Sequence, residues 1–281
     1  MTGLADAVAG WSPAPVTVTD RIGRWPVAAL TALLDQPEWS GAELPPLWHW
    51  LGFLEHPRQS DLGPDGHPAE GRFLPPIPQR RRMIAGGRLR VRSPLPIGAP
   101  VSRTSTLDKV EVKQGRSGEM AFVTVRHEFR VGDAVAAVEE QDVVYRSQEP
   151  GAARTLVRPA GSPAAAGWRF TVVPDEMTLF RFSALTYNTH RIHYDRPYVT
   201  DVEGYPGLVV HGPLLALLLL EIPRRHRPGR PVASFDYRLL APTFAGEPVE
   251  VTGTADGDHL SLAAAVPGLA PSITGTAVLS R

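Results

Sequence analysis

Between Ala233 and Leu279 the apolar residues gather into four short runs, Ala233–Leu239, Pro248–Ala255, His259–Val266 and Ser272–Leu279, set apart by Gly and Pro. Such runs predict antiparallel strands. Ahead of them the segment Gly212–Ile222 predicts a helix, with Pro213 near its start and Pro223 stopping it. Its core, Leu214–Leu220, is apolar all round, so the helix should be buried on every side. A short buried helix followed by strands implies a sheet wrapped around it, an α+β arrangement. Farther upstream, Trp168–Val173 predicts a strand and Pro174–Leu185 a helix. There Pro174 suits the first helical position, and Asp175 and Glu176 suit the positive helix end. An irregular polar segment, Thr186–Val210, separates the two helices.

The first half repeats this outline. Val27–Asp35 and Leu47–Glu55 predict helices, and Trp48, Trp50 and Leu54 fall at helical spacing as expected of core residues. Arg88–Arg92, Val101–Val112, Met120–Val131 and Ala134–Arg146 predict strands, with turns at Gly115, Gly118 and Gly132. The stretch 149–167 is rich in Pro and small residues and reads as a linker. It divides the chain into residues 1–148 and 168–281.

Composition narrows the choices. The chain is 43% hydrophobic and 21% charged with a net charge of zero, so no global field attracts nucleic acid or an acidic membrane. The absence of cysteine excludes disulfides, thiolate metal sites, iron–sulfur clusters and a Cys nucleophile, and suits a reducing compartment. The N-terminal residues lack a signal-peptide pattern. Leu214–Leu220 is far shorter than the roughly 18 residues of a membrane span. A soluble cytoplasmic protein is the expectation.

Chemistry concentrates in Thr186–Leu214, which holds His190, His193 and His211 with Asn188, Arg191 and Asp195. Residue type alone leaves three readings open. His190 and His193 suit a metal pair completed by Asp195 or His211, as in zinc sites. They also suit acid–base catalysis near neutral pH, or plain structural histidines. The run Arg80-Arg81-Arg82 reads as a solvated face or, through Arg81 and Arg82, as a phosphate contact.

The segments Phe182-Ser183-Ala184, Asn188-Thr189-His190-Arg191-Ile192-His193-Tyr194-Asp195 and Gly204 to Pro213 resemble the catalytic region of the MaoC-like enoyl-CoA hydratases, or hydratase 2. They are closer still to the two-hot-dog hydroxyacyl-thioester dehydratases and mesaconyl-C4-CoA hydratases. Trp48-His49-Trp50, Leu62 to Pro68, Phe73 to Pro78, Arg81-Arg82-Met83 and Ala85-Gly86-Gly87 extend the likeness over most of the chain.

The resemblance implies a double hot-dog fold, two antiparallel sheets each wrapped around a central helix. It implies a hydro-lyase acting on an acyl-CoA thioester, with coenzyme A entering only as part of the substrate. In the family motif Asp-x-Asn-Pro-Leu-His, the carboxylate and the imidazole hold a water between them. The His falls on His193 and the Asp on Asn188, while His190 and Arg191 replace the motif's Asn and Pro. An amide orients water but takes no proton, so His193 acts alone or Asp195 assists it, by taking the proton or by fixing the ring's tautomer. The Gly212 backbone N–H is the implied oxyanion donor, worth about 3 kcal/mol in acyl chemistry. His190 and His211 are supporting or structural. Arg181 and Arg191 are candidates to clamp a second carboxylate of a mesaconyl- or itaconyl-type chain, or else pair with Asp175 or Glu176. The N-terminal half, where His127 stands alone among residues 84–147, is expected to shape the pocket without catalysing. No metal or organic cofactor is expected, no nucleic acid or membrane partner, and a monomer or homodimer. The rivals are a hot-dog thioesterase, a non-catalytic thioester binder and a zinc hydrolase.

Overall fold

A computed structural model describes residues 3–115, 118–147, 156–161 and 167–280. Most of the predicted linker 149–167 lies outside the described residues. Its described part, 156–161, is docked rather than free: Ala160 bridges Leu269, and Arg158 holds Glu247 through two bonds of 2.7 and 2.8 Å.

The strands are β1 (Val16–Asp20), β2 (Arg80–Val91), β3 (Val101–Gly115), β4 (Gly118–Val131), β5 (Ala134–Ser147), β6 (Trp168–Val172), β7 (Val232–Leu239), β8 (Val249–Asp256), β9 (His259–Ala265) and β10 (Ile273–Leu279). They form one antiparallel sheet in the order β1-β3-β4-β5-β2-β7-β10-β9-β8-β6. From either outer edge inward, the order is first, third, fourth, fifth, second strand of that half. The outline duplication seen in the sequence is thus a duplication of topology. The halves meet where β2 pairs with β7, from Gly86↔Arg238 to Arg90↔Ser234.

Among the described residues four α-helices accompany the sheet: α1 (Leu4–Val8), α2 (Arg24–Leu33), α3 (Glu176–Leu185) and α4 (Gly212–His226). Helix α4 packs on β6 to β10, and Leu214 to Leu220 are all buried, as an all-round apolar run requires. In the N-terminal half α2 packs on α3 and on a single helical turn, Trp48–Leu51.

Several elements depart from the sequence expectations for local reasons. Pro223 does not stop α4, which continues to His226. An interior proline costs a helix roughly 3 kcal/mol, but Pro223 is buried and the buried Glu221 carboxylate pairs with both Arg224 and Arg225 of the last turn. Pro174 lies outside α3; Asp175 is its cap, with Oδ1 accepting from Thr178 N–H at 2.8 Å. The predicted helix Leu47–Glu55 contracts to its one turn, because Gly52 is extended and Phe53 has a positive φ of 56°. Strand β1 went unforeseen, being short and largely exposed. Strand β2 starts at Arg80, ahead of the predicted Arg88, since three charged residues conceal a pairing that begins at Arg80↔Ser147.

Candidate active site

A cleft of about 1290 Å³ runs along the join between the halves. Tyr237 and Gly87 of the joining strands line it, together with His67 and Arg82 from the first half and Asn188, His190, His193 and Gly212 from the second.

The loop after α3 is folded by its own backbone. Asn188 N–H bonds the Ser183 carbonyl at 2.9 Å, and the Asn188 Oδ1 accepts from His190 N–H at 2.9 Å. The next residues, Arg191–His193, form one tight helical turn that delivers the His193 ring inward, where it is buried. Its Nδ1 lies 2.7 Å from the Val209 carbonyl. A carbonyl only accepts, so Nδ1 carries the proton and Nε2 keeps its lone pair. Burial pushes the His193 pKa down to about 4, so the ring is neutral near pH 7.

His211 stacks on His193 with ring centroids 3.6 Å apart and planes at 18°. Fully buried, it precedes α4, and its Nε2 shares a 2.9 Å bond with Ser183 Oγ. Gly212 opens the helix and Pro213 follows, so the Gly212 N–H is a free first-turn donor at the positive helix end. A Cβ on Gly212 would lie 2.5 Å from Leu239 Cδ1.

The first half reaches the same place through the loop Leu62–Pro68. Arg191 N–H donates to the Asp65 carbonyl at 2.9 Å, and the Thr189 hydroxyl bonds the Gly66 carbonyl. Gly66 has φ +87°, and a Cβ there would stand 1.9 Å from the Thr189 carbonyl oxygen, so only glycine fits. This close seating brings His67 within 4.0 Å of His190, centroid to centroid, and His190 lies 5.4 Å from His193 at 89°. The His67 Nδ1 bonds Asp65 Oδ2 at 3.0 Å. Burial lowers His67 to about 4 and His190 well below its ordinary range, even with Asp65 opposing the shift at His67. Ligand-type atoms of Asp65, His67 and His190 lie within 4.8 Å of one another. Their spacing suits a cation, but the Arg82 guanidinium acts on all three groups and opposes one.

The matching family model is that of hydroxyacyl-thioester dehydratase type 2, and it covers residues 47–245. The chain belongs to this family. Mesaconyl-C(4)-CoA hydratase of Chloroflexus aurantiacus is 46% identical over 275 residues, 96% of each chain. A MaoC-like dehydratase from Phytophthora capsici superposes with a TM-score of 0.70 at 15% identity, over 99% of this chain and 98% of that one. A Mycobacterium tuberculosis protein described as a double hotdog fold superposes with a TM-score of 0.57 at 12% identity, covering 96% of each. The resemblance read from the sequence is borne out, and so is the double hot-dog fold, except that the two expected sheets are joined into one where β2 pairs with β7.

In this type 2 dehydratase chain, His193, Asn188 and Gly212 line one cleft, with His190 beside them. Asp195 is not placed to assist His193. Its Oδ2 takes Arg191 Nε and a second guanidinium N–H at 2.9 and 2.7 Å, and its Oδ1 takes Tyr198 N–H at 3.1 Å. The Val209 carbonyl does the tautomer-fixing instead. Arg191 is held by that pair and by the Pro64 carbonyl, and lies over the Tyr198 ring at 4.0 Å. Arg81 pairs with Glu203. Arg181 is exposed on α3 and does not line the cleft. Of the four arginines singled out, only Arg82 lines it. The functional reading of the sequence passed over Asp65 and His67, although Leu62–Pro68 carried part of the family likeness. An Asp-Gly-His triplet flanked by Pro was the available signal.

Proposed function

We propose that the protein adds water across the double bond of an enoyl-CoA thioester, and removes it in reverse, with His193 handling the proton. One observation carries this reading: His193 commits Nδ1 to the Val209 carbonyl, which leaves Nε2 unprotonated on a residue that lines the same cleft as Gly212. A neutral imidazole near pH 7 is a general base. As water attacks the β-carbon, negative charge grows on the thioester oxygen, where a first-turn amide stabilises it without reorganising. The Asn188 carbonyl oxygen is spent on His190 N–H, so its NH₂ remains to orient the water.

The mesaconyl-C(4)-CoA hydratase relative supports a short dicarboxylic acyl group. Arg82 is the group we assign to the free carboxylate. It is half-buried, lines the cleft beside His67, and has lost enough solvent that its charge calls for acidic partners, of which Asp65 and Glu55 are already two. Lys109, Lys113 and Arg238 also line the cleft and suit the phosphates of coenzyme A. All these groups come from one chain, so a monomer is sufficient and a homodimer is compatible. Among the described residues no helix is long and apolar enough to cross a membrane. The division into residues 1–148 and 168–281 and a cytoplasmic place of action belong to the same proposal.

The test is a panel of enoyl thioesters followed by mass spectrometry for the gain of one water, with His193→Ala beside the wild type. Hydration by the wild type and its loss in the variant support the reading. Release of free coenzyme A without hydration would assign the cleft to a thioesterase.

A further inference from the structure

Position 188 holds an amide where the hydratase pattern has a carboxylate, yet a carboxylate does lie close to the histidines. Asp65 is fixed against His67 by two bonds of 3.0 Å, from His67 N–H to Oδ1 and between the ring Nδ1 and Oδ2. His67 stands 4.0 Å from His190, which stands 5.4 Å from His193. We propose that Asp65 and His67 of the N-terminal half provide the carboxylate support missing at Asn188, stabilising the proton that the histidine cluster takes from water. The inference rests on the hydration reading above, and it makes the first half a participant in the chemistry.

The proton balance is simple. A lone pair of water forms the C–O bond at the β-carbon while the π pair moves onto the thioester oxygen, and the proton shed by water goes to His193 Nε2. It leaves when the α-carbon takes it and the electron pair returns. Nothing else is consumed. In the interval a positive charge sits in a buried site, where the protein's own charges decide its cost. Facing His67 are Asp65 from its own loop, Arg80 and Arg82 from β2, and His190 and His193 from the opposite loop. His211 acts on His190, and Glu55 and Tyr145 act on Arg82. Among the groups acting on His67, the arginines oppose an imidazolium and Asp65 favours one, and a charged His67 would in turn oppose charge on His190 and His193, so its support requires it to stay neutral against Asp65. Asp65 and His67 are positioning residues: they act through His190 and His193.

The experiment compares wild type, Asp65→Asn, and Asp65→Asn combined with Asn188→Asp. The Asp65→Asn change keeps the backbone carbonyl that receives Arg191 and a side-chain oxygen for His67 N–H, so the loop keeps its seating. Expected are a kcat reduced about 10- to 100-fold with KM little changed, an acid limb of the pH–kcat profile moved to lower pH, and recovery of at least about tenfold in the double variant. Titration of the protein with ¹³C-labelled histidine, followed by NMR, is expected to show His67 protonating at lower pH in Asp65→Asn. An unchanged pH profile, or a loss that Asn188→Asp does not recover, overturns the proposal. So does stoichiometric zinc in the wild type. Should the wild type hydrate no thioester, the functional reading fails on its own, and the NMR arm still decides whether Asp65 governs the cluster.

Discussion

The imidazoles of His193 and His211 lie 3.6 Å apart, within 18° of parallel, and both are buried. Two stacked rings in such a place cannot both carry charge without strong repulsion, and burial holds both below the ordinary imidazole range, which leaves His193 in its basic form near pH 7. Replacing His193 with Gln preserves a donor toward the Val209 carbonyl and removes the base. The expected outcome is a loss of hydration on the order of 10²- to 10⁴-fold with little change in KM. Steady-state kinetics and a thermal melt check it; a large drop in melting temperature would trace the loss to folding.

Stability should fall on mild acidification. His193 has a folded pKa of about 4 against 6.5 for a free ring. Between those values the unfolded chain binds more protons, so stability is fully present above about pH 6.5 and declines as pH falls toward 4. At 1.36 kcal/mol per unit, His193 accounts for about 3 kcal/mol by the acid end. His67 and His127, both pushed to about 4 chiefly by burial, act in the same direction. Urea unfolding at a series of pH values reads the slope, and His193→Gln is expected to flatten it.

Arg82→Gln should separate substrates. The variant is expected to raise KM for a dicarboxylic enoyl thioester about tenfold or more, and to affect crotonyl-CoA far less. Equal losses on both would move Arg82 from recognition of the acyl end to support of the fold.

Gly212→Ala places a methyl 2.5 Å from the end of the Leu239 side chain, which can turn aside, so folding is expected to survive. The added carbon also crowds the approach to the Gly212 N–H. A kcat lowered about tenfold or more, with stability nearly intact, is the expected result. Kinetics paired with a denaturant midpoint measure it.

How much was legible depended on distance along the chain. His193, Val209 and the start of α4 lie within one short stretch, so an apolar helix and a His-rich loop before it already suggest that His193 and Gly212 reach one cleft, as they do. Leu214–Leu220 announced its own burial. The contact of Thr189 with Gly66 spans 123 positions. No local period reveals it, since it exists only once β2 lies beside β7. For the same reason the charged run Arg80-Arg81-Arg82 does not single out Arg82, whose partial withdrawal from solvent is a property of the assembled halves. Arg191 and Asp195 are four apart around a helical turn, and that spacing favours the ion pair they form over service to His193. Pro223 misled because its helix is held by tertiary burial, which overrides local propensity.

The hydrogen-bonded pairing of β2 with β7 has a mechanical consequence. A ladder crossing the midline leaves no hinge about which one half can swing against the other, so the cleft does not open by rocking. Among the loops that rim it, the 62–68 segment is clamped to its neighbour by bonds from the Arg191 N–H and guanidinium and the Thr189 hydroxyl. The sheet beneath the cleft and the first-half loop beside it are thus tied to the second half as one piece.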